Sequence, residues 1–280
     1  TYDGTTQGSG VLGTHNYVVR ETSVTADGVT KSSEEHAFSV TVSDNGTGEL
    51  SLSTKGADTD KLDFTNAYEA KGSITFGGNK TIDKRAIQEG EVFEFAVNEK
   101  VVGKNGKERL DEVATGKSDA SGKITYDTIY YALNANEDDT GTHTYVVTEV
   151  AYDKDGVKSS EAKHEFTVNV EDTGNGGANG LKVTPSTDAQ KLDFVNTYVA
   201  TGEVQFAGTK SIDSRVLKAG ERYNFTITEK EGNNATGRTW TVSNDDKGKI
   251  LFPEIGYDVA CLVDDDGSFL AQRVYTYEIA

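Results

Sequence analysis

The chain has 280 residues, of which 35% are hydrophobic and 26% are charged, and its formal net charge is −18. This composition predicts a globular protein with enough apolar residues for about two cores, and the acidic charge disfavours nucleic acid and anionic membranes as partners. The single cysteine excludes an intrachain disulfide framework, and no apolar run reaches the roughly 18 residues that a membrane-spanning helix needs.

Short segments with strand character follow one another along the middle of the chain. They are rich in β-branched and aromatic residues and are separated by turns containing Gly, Asp and Asn. In chain order they read SITFGG, VFEFAV, KITYDTI, THTYVVTEV, HEFTVNV and KLDFVNTY. Helical periodicity is nearly absent. The pattern predicts an all-β fold of tandem immunoglobulin-like antiparallel β-sandwich domains, with the glycine-rich loop EDTGNGGANG mobile.

The sequence repeats itself at an interval of about 130 residues. The segment GSITFGGNKTIDKRAIQEGEVFEF matches GEVQFAGTKSIDSRVLKAGERYNF further along, and GTHTYVVTE matches the earlier GTHNYVVRE. This spacing predicts that residues 1–67 are the C-terminal part of a first repeat, 68–197 a complete repeat, and 198–280 the N-terminal part of a third.

Three polar residues of the complete repeat lie an even number of positions from the apolar residues of their strands. They are Lys80 in SITFGGNKTI, Glu149 in THTYVVTEV and Asn196 in LDFVNTY. Because side chains alternate faces along a strand, all three are predicted to point into the core. Lysine and glutamate are almost never fully buried without a partner, so the pattern predicts that they meet there.

Two interpretations of this trio follow from its chemistry. One is a buried salt bridge with an asparagine beside it. The other is a reaction, because burial lowers the pKa of a lysine and a neutral amine is a nucleophile. The amine would attack the asparagine amide carbon while the glutamate protonates the amide oxygen and relays protons to the departing ammonia, leaving a Lys–Asn isopeptide bond.

The segments GNKTI, EGEVFEF, YVVTE and FVNTY, in this order, closely resemble the isopeptide-linkage domain of Gram-positive pilin shafts, of the streptococcal T-antigen-like backbone-pilin type. The resemblance covers nearly the whole chain, as one complete repeat and two partial repeats. It implies that Lys80 bonds to Asn196 with the assistance of Glu149. It also implies that Glu21 and Asn66 belong to a unit whose lysine precedes residue 1, and that Lys210 belongs to one whose glutamate follows Ala280.

The resemblance implies a structural shaft or stalk segment of an extracellular pilus, filament or adhesin on the surface of a Gram-positive bacterium. The expected partners are copies of the same protein, and the expected chemistry is a single self-crosslinking event rather than turnover, with no cofactor. The alternative function is an adhesin module that binds a host-surface protein or glycan through the sandwich loops.

Other residues compete for roles at the site. The alternation along their strands predicts that Glu99 and Glu229 also point into the core, and they are alternatives to Glu149 as the acid. His143 and His164 are expected to face each other across a hairpin, but a zinc site needs more ligands than two histidines supply.

Overall fold

A computed structural model describes residues 12–56 and 61–280. The described chain consists of strands and loops, with two short 3-10 helices, Thr187–Gln190 and Val259–Leu262, and no α-helix. Consequently, none of its helices has the length and apolar character to cross a membrane.

The segment predicted to be part of a first repeat contributes five strands, the last of which extends one residue past the predicted boundary. They are β1 (Gly13–Arg20), β2 (Val29–Thr30), β3 (Glu35–Asp44), β4 (Leu50–Gly56) and β5 (Ala67–Tyr68). Strands β1, β3 and β4 form an antiparallel sheet in that order, and β2 pairs with β5. Among its described residues only Val42 is a fully buried hydrophobic, so this part of the chain encloses little core of its own.

The middle repeat contains eleven strands. They are β6 (Ala70–Ile74), β7 (Gly77–Ile82), β8 (Glu94–Val102), β9 (Glu108–Ser118), β10 (Lys123–Tyr126), β11 (Ile129–Leu133), β12 (Gly141–Glu149), β13 (Val157–Lys158), β14 (Lys163–Asp172), β15 (Leu181–Pro185) and β16 (Phe194–Tyr198). Nine of them form one sheet in the order β13-β16-β7-β10-β9-β8-β12-β14-β15, and β6 pairs with β11. One hydrophobic cluster, with members from both sheets, forms the core of this sandwich-like arrangement.

The third repeat contributes seven strands. They are β17 (Thr201–Val204), β18 (Ala207–Thr209), β19 (Asn224–Glu231), β20 (Asn234–Ser243), β21 (Lys249–Leu251), β22 (Ile255–Asp258) and β23 (Tyr275–Ile279). Its core cluster has only Ile227, Ile250 and Phe252 as fully buried members. The all-β, sandwich-like fold predicted from the sequence is confirmed.

One pairing departs from the antiparallel pattern. The last strand of the middle repeat, β16, runs parallel to β7 near its beginning, with Phe194 opposite Lys80 and Asn196 opposite Ile82. The ends of the repeat are therefore neighbours in the sheet although they are far apart in sequence.

Two glycines allow neighbouring chain segments to approach the strand that carries Lys80. A Cβ atom at Gly78 would overlap the carbonyl of Leu192, and one at Gly122 would overlap the carbonyl of Lys80. Gly122 also has φ +84°, which L-residues with a side chain rarely adopt. The packing that buries Lys80 thus requires glycine at both positions, Gly78 and Gly122.

The loop EDTGNGGANG forms the junction between the first and middle repeats rather than projecting freely. Glu69 donates its N–H to the carbonyl of Gly28 (2.9 Å) and accepts from the N–H of Gly177 (2.8 Å). A Cβ atom at Gly176 would collide with the backbone of Asp27 and Gly28. The glycines of this loop thus let two backbones meet closely, and the mobility of the loop stays a prediction.

Candidate functional site

Lys80 lies on β7 with its side chain wholly buried. Its Nζ is 4.8 Å from the ring centroid of Phe93 and donates to the carbonyl of Thr81 at 3.2 Å. Burial lowers the pKa of Lys80 to about 8, while the nearby Glu149 carboxylate acts in the opposite direction. The amine is therefore much easier to deprotonate than an exposed lysine.

Glu149 ends β12 and reaches the same buried space. Its side chain is fully shielded from solvent, and Oε2 lies 3.5 Å from Nζ of Lys80. Oε1 accepts a hydrogen bond from Nδ2 of Asn196 at 2.8 Å. One carboxylate thus contacts both the amine and the amide nitrogen.

Asn196 lies on β16 and is completely buried. Its Oδ1 accepts from the backbone N–H of Ser160 at 2.7 Å, and the same N–H approaches Oε2 of Glu149 at 3.0 Å. The structure therefore brings Lys80, Glu149 and Asn196 together. The expected contact from Glu149 to the amide oxygen is absent from this arrangement, because that oxygen faces Ser160 while Glu149 contacts the amide nitrogen.

The first repeat contains the same arrangement around Glu21 and Asn66. Asn66 Nδ2 donates to Glu21 Oε1 at 3.0 Å. The N–H of Ser32 donates to Asn66 Oδ1 at 2.8 Å and to Glu21 Oε2 at 2.9 Å. The glutamate, the asparagine and the amide donor thus recur as a unit.

The third repeat supplies the lysine side of the site. Nζ of Lys210 lies 4.8 Å from the ring centroid of Tyr223, as Lys80 does over Phe93. In the middle repeat Glu149 lies opposite Phe95, whose counterpart in the third repeat is Phe225. Strand β23 of the third repeat pairs Ile279 with Ile227. No residue of β23 lies opposite Phe225.

The two alternative acids lie elsewhere. Glu99 is opposite Tyr145 in the sheet and contacts Nδ1 of His143 at 2.6 Å. Glu229 is buried and accepts from Oγ1 of Thr236 at 2.9 Å and from Nη1 of Arg238 at 3.3 Å. Neither interaction involves the lysine of its repeat.

The histidines do not form the predicted pair. The register places His143 opposite Val168 and His164 opposite Val147, four positions away along the strand. Within residues 12–56 and 61–280, no three His, Cys, Asp or Glu side chains are grouped closely enough to hold a metal ion.

The arrangement of the middle repeat suits amide exchange. A buried amine of lowered pKa, a carboxylate that touches both nitrogens and an amide held by two hydrogen bonds are the groups that aminolysis requires. Sequence reasoning missed the N–H of Ser160. The only available signal was a serine at equivalent places in the two repeats, Ser32 and Ser160. The alternation of side chains along a strand says nothing about the direction of a backbone N–H in a loop.

The comparisons with known proteins point to one family. A family model described as "FctA: Spy0128-like isopeptide containing domain" matches residues 5–69 and 76–199, more than half of the chain. No curated protein matches.

Solved structures of streptococcal pilins are also similar, at low identity. The major pilin T3.2 of Streptococcus pyogenes is 16% identical, with 75% of this chain and 81% of that chain covered and a TM-score of 0.27. A variant of a Streptococcus pyogenes major pilin is 14% identical over 74% and 82% of the two chains, with a TM-score of 0.28. The streptococcal ancillary pilin is 11% identical over 87% and 71%, with a TM-score of 0.18.

Proposed function

This chain belongs to the family of Spy0128-like isopeptide-containing domains of Gram-positive pilins, and on that premise we propose that it is a load-bearing segment of a pilus or fibrillar adhesin. Its middle repeat is stabilised by an amide bond between Lys80 and Asn196. The fibre stands on the outside of the cell, where a protein with a single cysteine needs a covalent brace other than a disulfide.

The bond forms within the folded core. Lys80 first loses one proton to solvent, and the neutral amine then attacks Cγ of Asn196. The Glu149 carboxylate takes one proton from Nζ and gives it to Nδ2, the Cγ–Nδ2 bond breaks, and ammonia leaves. Each chain reacts once and does not regenerate the amide, so the protein is a substrate of its own chemistry rather than a turnover enzyme.

The mechanical role follows from the positions of the two residues. Tension along a tandem array enters the middle repeat near β6 and β7 and leaves it through β16. A bond from Lys80 on β7 to Asn196 on β16 carries that tension directly between neighbouring strands. The intervening strands β8 to β15 are then shielded from load.

The observation that carries this proposal is the contact of one buried carboxylate with both nitrogens, at 3.5 Å from Lys80 and 2.8 Å from Asn196. Pulling single molecules from their two ends tests it. The chain should extend without releasing the residues between Lys80 and Asn196, whereas Lys80→Ala should release them in one additional step. Equal extension of the two proteins would refute a load-bearing bond.

The first and third repeats present surfaces that fit a continuing array. In the middle repeat, Gly72 packs against Leu181 and Val183 of β15. At the corresponding Gly202 an added Cβ meets nothing within 4 Å, and the open groove there has a volume of about 430 Å³. In the first repeat the counterpart of β15 is β4, whose Leu52 is 56% exposed.

We therefore attribute this groove to strand docking rather than to a small ligand. A β15-like strand from the C-terminal part of a repeat, such as β4 of the first repeat in a neighbouring copy, would fill it and bring a glutamate and an asparagine to Lys210. The lining of the groove is largely apolar, which suits the buried side chains of a strand better than a glycan.

A further inference from the structure

The backbone N–H of Ser160 touches the atom on which negative charge develops during bond formation. It lies 2.7 Å from Oδ1 of Asn196 and 3.0 Å from Oε2 of Glu149. We infer that this N–H is the oxyanion donor of the isopeptide reaction, an inference that rests on the proposed function.

The Ser160 N–H also fixes which way the Asn196 amide points. If the amide were reversed, Nδ2 would meet the Ser160 N–H, donor against donor, and Oδ1 would meet the carboxylate of Glu149, acceptor against acceptor. Both contacts are unfavourable in a buried site, where no solvent is present to satisfy the unpaired groups. The observed orientation therefore presents the amide nitrogen to Glu149 and the oxygen to Ser160.

In this orientation the Ser160 N–H and the Glu149 carboxylate have separate roles in the reaction. When Nζ of Lys80 bonds to Cγ, the carbonyl electron pair moves to Oδ1, where Ser160 N–H stabilises it. Glu149 moves protons only between the two nitrogens, from Nζ to Nδ2. The electron pair then returns to re-form the carbonyl as the Cγ–Nδ2 bond breaks and ammonia departs. A preorganised donor aimed at an oxyanion is typically one of the larger contributions to catalysis.

A local turn aims the N–H of Ser160. Its side-chain Oγ accepts the N–H of Ala162 at 3.2 Å, which closes a tight turn next to the site. In the first repeat, Oγ of Ser32 accepts the N–H of Glu34 at the same distance, and the N–H of Ser32 again reaches both asparagine and glutamate. Two independent copies thus share the turn and the donor.

The test replaces the N–H without changing the side chain. Cell-free translation of the full chain can place the α-hydroxy analogue of serine at position 160, so that an ester oxygen stands where the N–H was. After translation is stopped, samples are quenched in acid at intervals and the loss of ammonia is followed by intact mass. The matched control is the same ester change at Glu161, which lies in the same loop and whose N–H makes no hydrogen bond within the described residues, so that the turn bond from Ala162 to Ser160 is kept.

The ester at position 160 should slow bond formation about 10²- to 10³-fold, the effect of removing one oxyanion donor. The ester at position 161 should slow it far less. Equal rates for the ester at 160 and the unmodified chain would overturn the inference while leaving the bond itself established. If the unmodified chain never loses ammonia, the proposed function fails instead.

A spectroscopic measurement guards against a folding defect in the ester chain. In Lys80→Ala the amide of Asn196 stays unreacted, and the Ser160 amide proton should resonate downfield and exchange slowly with solvent. Adding Asn196→Ala should move that resonance upfield and speed its exchange. An unchanged resonance would contradict the contact on which the inference rests.

Discussion

Lys80 is opposite Phe194 and Asn196 is opposite Ile82 on two adjacent parallel strands, with both polar side chains directed into one buried space. The register places an amine and an amide from the two ends of a repeat side by side. Proximity of this kind lowers the activation barrier of an otherwise slow aminolysis, because the entropy of bringing the groups together is already lost on folding.

Replacing the carboxylate should stop the reaction. In Glu149→Ala, Lys80 and Asn196 should remain unlinked, because no group transfers protons between their nitrogens. The sandwich should still form, but with the loss of the roughly 4 to 5 kcal/mol that a cross-link closing a loop of this size contributes. Intact mass and thermal denaturation would measure the two effects.

Glu99→Gln is the matched control for that variant. Glu99 contacts His143 rather than the reacting groups, so this chain should lose ammonia like the unmodified protein. A complete bond in Glu149→Ala, or a missing one in Glu99→Gln, would reverse the assignment of the acid.

Bond formation should accelerate with pH up to about 8, the pKa that burial gives Lys80. Below that value the uncharged amine becomes about ten times scarcer with each pH unit, and above it the rate should level off. The sign follows from a folded-state pKa below the ordinary value of 10.5. For the same reason the unlinked fold gains stability as pH rises from about 8 towards 10.5. Rates from acid-quenched cell-free reactions would show the profile, and a rate independent of pH between 6 and 8, roughly the range below this pKa, would contradict it.

The junction between the first and middle repeats should depend on Gly176. Gly176→Ala places a Cβ against the backbone of Asp27, whereas Gly174→Ala meets nothing within 4 Å. Both glycines have positive φ (58° and 75°), so both changes carry a similar local strain of about 1–2 kcal/mol.

Only the change at Gly176 should disturb the junction itself. Hydrogen exchange at the amides of Glu69 and Lys71, which bond to Gly28 and Gly177, should become faster in Gly176→Ala and stay near normal in Gly174→Ala. Identical exchange in the two variants would show that the loop does not hold the repeats together.

The boundaries of the third repeat can be tested by completing it. Tyr277 lies opposite Glu229 in the third repeat, and Tyr145 lies opposite Glu99 in the middle repeat. Residue 277 therefore corresponds to residue 145, and residue 275 corresponds to residue 143. A chimera in which residues 275–280 are replaced by a second copy of residues 143–198 should join Lys210 to the copied asparagine and lose a second ammonia.

The control is the same chimera with Lys210→Ala, which should lose only one ammonia. If the unsubstituted chimera also loses only one, then residues 198–280 are not the front part of a repeat of this kind.

The sequence predicts the burial of Lys80, Glu149 and Asn196 well, because a period of two is a strong constraint in strands that have one buried face. It does not predict that β16 pairs in parallel with β7. The alternation of side chains determines which face of the sheet each one occupies, but not which strand lies next to it. The sequence does not predict strand β9, because ERLDEVATGKS carries few aromatic or β-branched residues. The sequence predicts one strand over SITFGGNKTI, but this segment divides into β6 and β7, which pair with different partners.

The mass of the intact, folded and then denatured chain tests the central claim most directly. The account predicts a mass below the sequence mass by one ammonia, and a tryptic digest containing one branched peptide in which Lys80 is joined to Asn196. Lys80→Ala and Asn196→Ala should each restore the full sequence mass for the chain that carries the substitution. An unmodified mass for the original chain, with Lys80 and Asn196 in separate peptides, would contradict the account.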